Sequence, residues 1–493
     1  MPGEMRPVPA ELAPRSVINP TRRSPNPRPA AGVRMPGGRA EVRASSRSFR
    51  ARTTARGTGA AIADQTKGRV SLMSSDHPFP GGPVQVVPSQ GQVLRKPALG
   101  AAPEGQANGD CRWSAGRRAA MPSEDADLPT PDFAFDADAP GACVAGIRPY
   151  RCGSYRLEAE VASGRFVVHN YGHGGAGITL SWGCAAKVQD LVRARVAASH
   201  ETEAAVLGSG VMGLTAAARL LDLGLTVTIY ANLMFAKTTS YKAGGQWALS
   251  LVEHHGKDGE LKDVLTTSYN TFKAGGQDFG VHERPNYTSK VSSNFEKILH
   301  IAPGLIPPRQ DLPRMPFHGH HNRGFLYQTL LVEPPTFLAR LVDDLNRRGV
   351  RFVQHKFANR ADVFSTVTQK VIVNCTGYGA KKLWNDAAMH PIRGDLAMLR
   401  PQPDLQYLYS QNGYMFPRTD HVVIGGNFDC TDNEQPNKAE CKKLVRAVAM
   451  NFGLAPRMAI PENFIQHPRI SEWLRQRSLA PADTPCEPPC NPV

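Results

Sequence analysis

The sequence predicts an α/β protein of two domains behind a basic leader, and three observations carry that reading. From Cys143 to about Leu479, short β-rich runs alternate with helical ones. A strand, a glycine turn, a helix and a second strand follow one another in Glu203–Ala231, EAAVLGSGVMGLTAAARLLDLGLTVTIYA. Charge is also uneven along the 493 residues: 19 of the 58 Lys and Arg, but only 7 of the 43 Asp and Glu, lie in residues 1–120.

That distribution places +12 of the net +15 in the leader, so the basic balance does not mark an anionic partner for the remaining chain. Residues 1–130 are rich in Arg, Pro, Gly and Ser and lack helical or strand periodicity. Such a segment cannot bury enough apolar surface to offset its ordering entropy, and it is expected to be disordered. The alternatives for it are translation from Met121, an organelle transit peptide, or a twin-arginine address at Arg22-Arg23. A cytoplasmic location is expected, or an exported or organellar one if the leader is an address. No apolar segment follows Arg23 and no run of about 18 apolar residues occurs, which argues against Sec export and a membrane span. Aromatics are not interleaved with the leader's arginines, so no nucleic-acid partner is expected.

Nine cysteines form no CxxC pair, which indicates neither a zinc site nor a disulfide framework and leaves the thiols reduced. Cys486 and Cys490 form a CxxxC in the Pro-rich tail 479–493, either incidental or a redox switch. His318, His320 and His321 lack a carboxylate partner in their loop and read as a solvated lid, so no metal is expected.

The elements follow in chain order. Val167–Thr179, VVHNYGHGGAGIT, leaves a strand at Arg165–Val168 and enters a helix at Ser181–Val196. Glycines 172, 174, 175, 177 and 183 expose backbone N–H groups beside a helix N-terminus, suited to an anionic or polar ring edge; a flexible linker is the bland alternative. Next comes the βαβ unit, a dinucleotide fingerprint in its required context. Gly208 makes the tight turn, Gly210 admits a pyrophosphate, and Gly213 lets helix and strand approach. The second strand ends in Ala231-Asn232, where an acidic residue usually holds the ribose hydroxyls, so weakened ribose recognition is expected. Pro335–Arg348 reads as an amphipathic helix stopped by Gly349, with VRFVQHKF as the next strand. Lys370–Asn374 is a buried strand running into Cys375-Thr376-Gly377, a turn that either contacts a cofactor or simply closes the strand.

HNYGHGGAGIT resembles the C-terminal flavin-binding signature of the D-amino-acid oxidase family, and GIRPYRCGSYRLEAE (Gly146–Glu160) resembles that family's carboxylate-binding strand. TTSYKAGGQW (Thr238–Trp247) resembles its second flavin loop, VIVNCTG (Val371–Gly377) the strand beneath the flavin, and GYMFPRTDHVVIGGNFD (Gly413–Asp429) the active-site strand pair. The resemblance covers roughly residues 145–480. The order of blocks differs, because the Arg strand and HNYGHGG precede the GxGxxG turn instead of closing the chain. The sequence reads as a circular permutation, joined through Ala198–Glu203.

The resemblance implies FAD, held by Gly208, Gly210, Val211, Met212, Gly213 and Asn232, by Thr238, Thr239, Ser240, Gly244, Gly245 and Trp247, by Cys375, Thr376 and Gly377, and by His173, Gly174, Gly177, Ile178 and Thr179. Arg151 is the expected carboxylate clamp, its alternative being a surface arginine in a strand with Arg148 and Arg156. Tyr414 corresponds to the family's carboxylate-binding tyrosine, and Tyr409 sits near its lid tyrosine, one residue further away than the pattern; sheet packing is the alternative for both. Gly175 would offer its carbonyl to the substrate amine, and Thr179 would hold the flavin pyrimidine edge.

The implied activity is oxidation of D-amino acids to 2-oxo acid, ammonia and hydrogen peroxide. The alternatives are another flavin amine, glycine or imino-acid oxidase, a dehydrogenase, or a flavin binder without turnover. The expected partners are the small substrate and oxygen, and a homodimer is compatible with them. Ala248-Leu249-Ser250 and Asp395 depart from the family pattern, so the side-chain pocket is not inherited. The FAD-binding, Rossmann-like domain is expected at 157–255 and 325–385, and a mixed-sheet α+β substrate domain at 145–156, 256–324 and 386–478.

Overall fold

The computed structural model describes residues 127–319 and 322–453. Residues 1–126 of the leader, Cys111, His320, His321 and the tail with Cys486 and Cys490 lie outside the described residues; residues 127–130, expected to be disordered with the leader, are instead held, the Leu128 N–H donating to the Pro316 carbonyl at 2.7 Å and the Pro129 carbonyl accepting from the Tyr407 hydroxyl at 2.7 Å. The chain first forms β1 (Cys143–Arg151), β2 (Arg156–Ala162), β3 (Arg165–Tyr171), α1 (Gly177–Ser199), β4 (Glu203–Leu207), α2 (Val211–Leu221) and β5 (Thr226–Ala231). Then come α3 (Thr239–Lys242), α4 (Asp258–Gly275), β6 (Val281–Thr288), α5 (Ser293–Ile301), β7 (Gln310–Leu312), β8 (Gly324–Val332) and α6 (Pro334–Arg347). The last part holds β9 (Arg351–Gln354), α7 (Arg360–Thr366), β10 (Val371–Asn374), α8 (Ala380–Leu383), β11 (Met389–Leu399), β12 (Leu408–Ser410), β13 (Tyr414–Pro417), β14 (Val422–Gly425) and α9 (Lys438–Met450).

Two sheets organise these elements. The first has the order β2-β3-β10-β4-β5-β9 and is parallel except for β2 at its edge. Its central strands are buried on both faces: Val206 and Val373 join the core shared with α1, α2, α4 and α6, while Leu207 and Ile372 pack with Val363 of α7 and Leu383 of α8. Burial on both faces explains why AAVL and VIVN are unbroken apolar runs. Because β3, β10, β4 and β5 are parallel, the turns at Gly172–Gly175, Cys375–Gly377, Gly208–Gly210 and Asn232 share one edge, where ligands bind in open α/β sheets.

The second sheet is mixed, with the order β1-β11-β14-β13-β12-β6-β8-β7 and one parallel pair, β12 with β6. One face is covered by α9, whose Cys441, Leu444 and Val448 pack against Ala397, Met415 and Ile424. The alternating residues Leu396, Tyr414 and Phe416 face a cleft instead. Two segments fall outside the expected boundaries. Strand β8 pairs with β6 and so belongs to the second sheet, and α4 contributes Leu261, Val264 and Leu265 to the core of the first. An apolar run does not say which sheet it will join. The cysteines are also corrected: Cys143, Cys184, Cys375 and Cys441 are free thiols, but Cys152 and Cys430 are disulfide-bonded, which spacing along the chain could not reveal. Among the described residues no helix is long and apolar enough to cross a membrane.

Candidate active site

A cavity of about 1510 Å³ lies between the turn edge of the first sheet and the cleft face of the second. Its first wall is built of glycines for steric reasons. Gly208 has φ +105°, and a Cβ there would overlap the carbonyl oxygen of Cys375; Gly174 has φ +53°, and a Cβ there would overlap that of Leu251. The N-termini of α1 and α2 stand side by side in this wall, a Cβ on Gly177 falling 3.8 Å from Val211 Cγ1. Neither helix has a capping side-chain bond from its N-cap residue, Ala176 or Gly210, although Ser240 Oγ accepts from the Val211 N–H at 3.0 Å. Adjacent helix N-termini with unspent N–H groups favour an anion such as a diphosphate. Asn170, fully buried in the same wall, has no protein partner for either side-chain amide atom, as suits a wall completed by a polar ligand. His173 stacks on Tyr155 with ring centroids 5.2 Å apart, and burial pushes its pKa down to about 3, leaving it neutral.

The opposite end of the cavity carries an arginine and a tyrosine. Arg148 of β1 lines it, with its guanidinium 5.3 Å from the Phe428 ring, and Tyr414 of β13 lines it from the other side. Burial pushes the Tyr414 phenol up and the charges of Arg148 and Arg418 partly hold it back, so it remains a protonated donor.

Residues 203–469 match the family model described as FAD dependent oxidoreductase, DAO. The chain belongs to this family. It shares 36% identity over 312 residues, 60% of this chain and 90% of the relative, with a D-amino-acid oxidase from Rubrobacter xylanophilus. A D-amino-acid oxidase from Dictyostelium discoideum is 25% identical over 268 residues, 52% of this chain and 73% of that protein. A human D-aspartate oxidase is 25% identical over 260 residues, covering 49% and 73%. A solved glycine oxidase from Bacillus cereus aligns with a TM-score of 0.39 at 17% identity, over 50% of this chain and 77% of its own. The chain is thus an FAD-dependent oxidoreductase. The glycine wall, the paired helix N-termini and the partnerless Asn170 amide suit the diphosphate and polar ring edge of FAD.

Most of the residues expected to hold the flavin line the cavity, from Asn232 at one end through the Gly208 and Cys375 turns to Thr239, Gly244 and the His173–Ile178 block. Arg151, Thr179, Gly213, Trp247 and Tyr409 do not. Strand parity explains two of these. Arg151 is an odd number of residues from Arg148 and so points to the other face of β1, where its Nε donates to Asp386 Oδ2 at 2.9 Å and Nη1 donates to the Ser154 carbonyl at 2.7 Å. Tyr409 pairs with Met415, which faces α9, and its ring packs against Phe317 and Phe452 in that core; Ser410, paired with Tyr414, is the residue of β12 that faces the cleft. Thr179 spends its hydroxyl on the backbone of Ala248, accepting from its N–H at 3.1 Å and donating to its carbonyl at 2.9 Å. Trp247 is fully buried against Tyr269. Gly213 serves packing, since a Cβ there would overlap the Gly208 carbonyl oxygen. Asp395, whose departure from the family pattern cast doubt on the pocket, also faces away from the cleft and accepts from Asn427 Nδ2 and from the Asn437 N–H, both at 2.8 Å. Sequence reasoning missed Arg148 as the arginine of the cleft and Asn170 as a lining amide; the face of Arg148 is set by its pairing with β11, which has no signal in the β1 sequence.

Proposed function

We propose that the chain oxidises the α-carbon of D-amino acids, with FAD as acceptor, to 2-oxo acid, ammonia and hydrogen peroxide. The observation that carries the reading is the meeting of Arg148 and Tyr414 at one end of a cavity whose other wall is the double glycine turn. The reaction requires a fixed carboxylate, a neutral amine and an α-C–H aimed at the acceptor. Arg148 takes the carboxylate through its guanidinium fork, and the Tyr414 hydroxyl adds a second donor. Gly175, in the wall opposite, offers its carbonyl to the amine. As hydride leaves, positive charge develops toward the nitrogen, and a cation beside it would oppose this; His173, kept neutral by burial, does not. FAD, when bound, supplies the hydride acceptor and passes the electrons to oxygen, which is reduced to hydrogen peroxide. The imino acid then hydrolyses in water. Two D-amino-acid oxidases and a D-aspartate oxidase among the relatives support the D-configuration.

We also infer that the chain order is a circular permutation. The family match begins at β4, leaving β1 to α1 outside it, and only His200–Thr202 separate α1 from β4. Residues 121–493 expressed alone are expected to be soluble and yellow; an insoluble, colourless product counts against the arrangement. For the activity, the FAD-loaded protein is screened in a peroxide-coupled assay with the D- and L-forms of alanine, proline and aspartate. Peroxide from D-forms alone is expected, and peroxide from L-forms, or from none, overturns the proposal.

A further inference from the structure

The two side chains assigned to the substrate carboxylate stand on the outer members of a four-strand run, β1-β11-β14-β13. Arg148 on β1 pairs with Ile392 on β11, which makes Gly394 its diagonal neighbour on the same face; Tyr414 on β13 pairs directly with Gly425 on β14. A Cβ built on Gly394 would overlap Nη1, Nη2 and Cζ of Arg148, and one built on Gly425 would overlap Cζ and Oη of Tyr414. Neither glycine is in the left-handed region, unlike Gly208 or the adjacent Gly426, so backbone conformation does not require glycine at either position. Glycine within a strand weakens it, and the two are offset along the central strands, the register placing Gly425 opposite Leu396, the next residue on the same face after Gly394. What it provides is space. The guanidinium lies over Gly394 of β11 and the phenol over Gly425 of β14, adjacent strands, and the Arg148 charge is near enough to pull the Tyr414 phenol down against its burial.

We infer that Gly394 and Gly425 are positioning residues, the glycine seats on which Arg148 and Tyr414 converge to bind the substrate carboxylate. This rests on the assignment of that carboxylate to Arg148 and Tyr414. Any side chain at either seat lifts the donor above it out of the plane in which the two heads converge, without touching the nucleotide wall.

The test uses the FAD-loaded full chain and whichever of D-alanine, D-proline or D-aspartate gives the strongest peroxide signal. Gly394→Ala is expected to raise KM by about tenfold or more while kcat stays within about threefold, because a charge-assisted pair is lost mainly from binding. Gly425→Ala is expected to raise KM by only about threefold, since a single neutral donor is displaced. FAD affinity, read by flavin fluorescence, is unchanged in both. The decisive comparison is a double-mutant cycle: Arg148→Ala raises KM by itself, and adding Gly394→Ala to it changes nothing further, because the group that the new Cβ would displace is gone. The same logic covers a folding failure, since Gly394→Ala that does not fold should be rescued for flavin binding by Arg148→Ala. A wild-type KM in Gly394→Ala, or losses that simply add, overturns the seats while leaving the carboxylate site standing. An unchanged KM in Arg148→Ala overturns both.

Discussion

Replacing Arg151 by Ala should cost stability and leave substrate affinity alone, the reverse of what its place in an arginine-rich strand suggests. Its Nε bonds to Asp386 at 2.9 Å, and the Asp386 side chain is only 7% exposed. The same carboxylate accepts from the Tyr171 hydroxyl at 2.8 Å and from the Ala388 N–H at 3.1 Å. Burial works against its charge, but the bonds from Arg151 and Tyr171 outweigh it and hold the carboxyl below the usual range. Removing the cation from a fully buried pair costs about 3–5 kcal/mol. Here the Arg151 side chain is 23% exposed, so water can enter, and two donors remain; about 2 kcal/mol is the more reasonable figure. For a domain of this size that corresponds to a fall in Tm of roughly 5 °C. A carboxyl with a lowered folded pKa contributes stability above its unfolded value and loses it as pH falls, so the gap between wild type and variant should close below about pH 4. Thermal unfolding of the FAD-loaded proteins at pH 7 and pH 4, beside KM for a D-amino acid, gives the answer. A tenfold rise in KM at unchanged Tm would refute the parity argument and return Arg151 to the substrate.

Three further outcomes follow from the site. Gly208→Ala should abolish retention of FAD on desalting, because its Cβ would overlap the Cys375 carbonyl oxygen at a φ that side chains rarely adopt; flavin absorbance at wild-type stoichiometry would contradict this. Tyr414→Phe should raise KM by roughly threefold while Tyr409→Phe leaves it unchanged, and the opposite pattern in a peroxide assay would mean that β12 and not β13 presents its tyrosine to the cleft. His169 and His173, pushed down by burial to about 4 and about 3, bind protons in the unfolded chain before the folded one, so their stability contribution is present above about pH 6.5 and is lost as pH falls. A urea midpoint that does not drop between pH 7 and pH 4 would show that these rings are not buried.

What could be read from the sequence was what depends on near neighbours. The AAVL strand, the turn at Gly208, the α2 face and the β5 strand are contiguous, and each appears where its local pattern put it. The glycine block after β3 was legible for the same reason, although the helix begins at Gly177, earlier than Ser181, because the α1 N-terminus forms part of the cavity wall. Facing was not legible. Arg148 and Arg151 are equivalent in composition, and only pairing with β11, some 240 residues later, says which one sees the cleft. Thr179 and Trp247 failed for a related reason: the segment at Ala248 competes for the Thr179 hydroxyl, a contact with no signature in either stretch. Gly394 and Gly425 are unremarked residues until the side chains crossing above them are placed.

The chain order gives the site one more property. Strands β3 and β4 both flank β10, yet β3, α1 and β4 are nearly continuous while β10 arrives about 165 residues later. Until β10 fills its slot, the two glycine turns that face the nucleotide have no common strand between them, and the Gly208 turn lacks the Cys375 backbone that it packs against. The intervening chain carries β6, β7 and β8, three of the eight strands of the second sheet, so closing the slot also encloses part of that sheet. Loop closure of that length adds only modest entropy, because its cost grows with the logarithm of the loop. The contacts it completes are the ones that hold both turns. Nucleotide affinity therefore belongs to the finished sheet and not to the βαβ unit alone, which is why a fingerprint that is complete within Glu203–Ala231 still depends on a strand far beyond it.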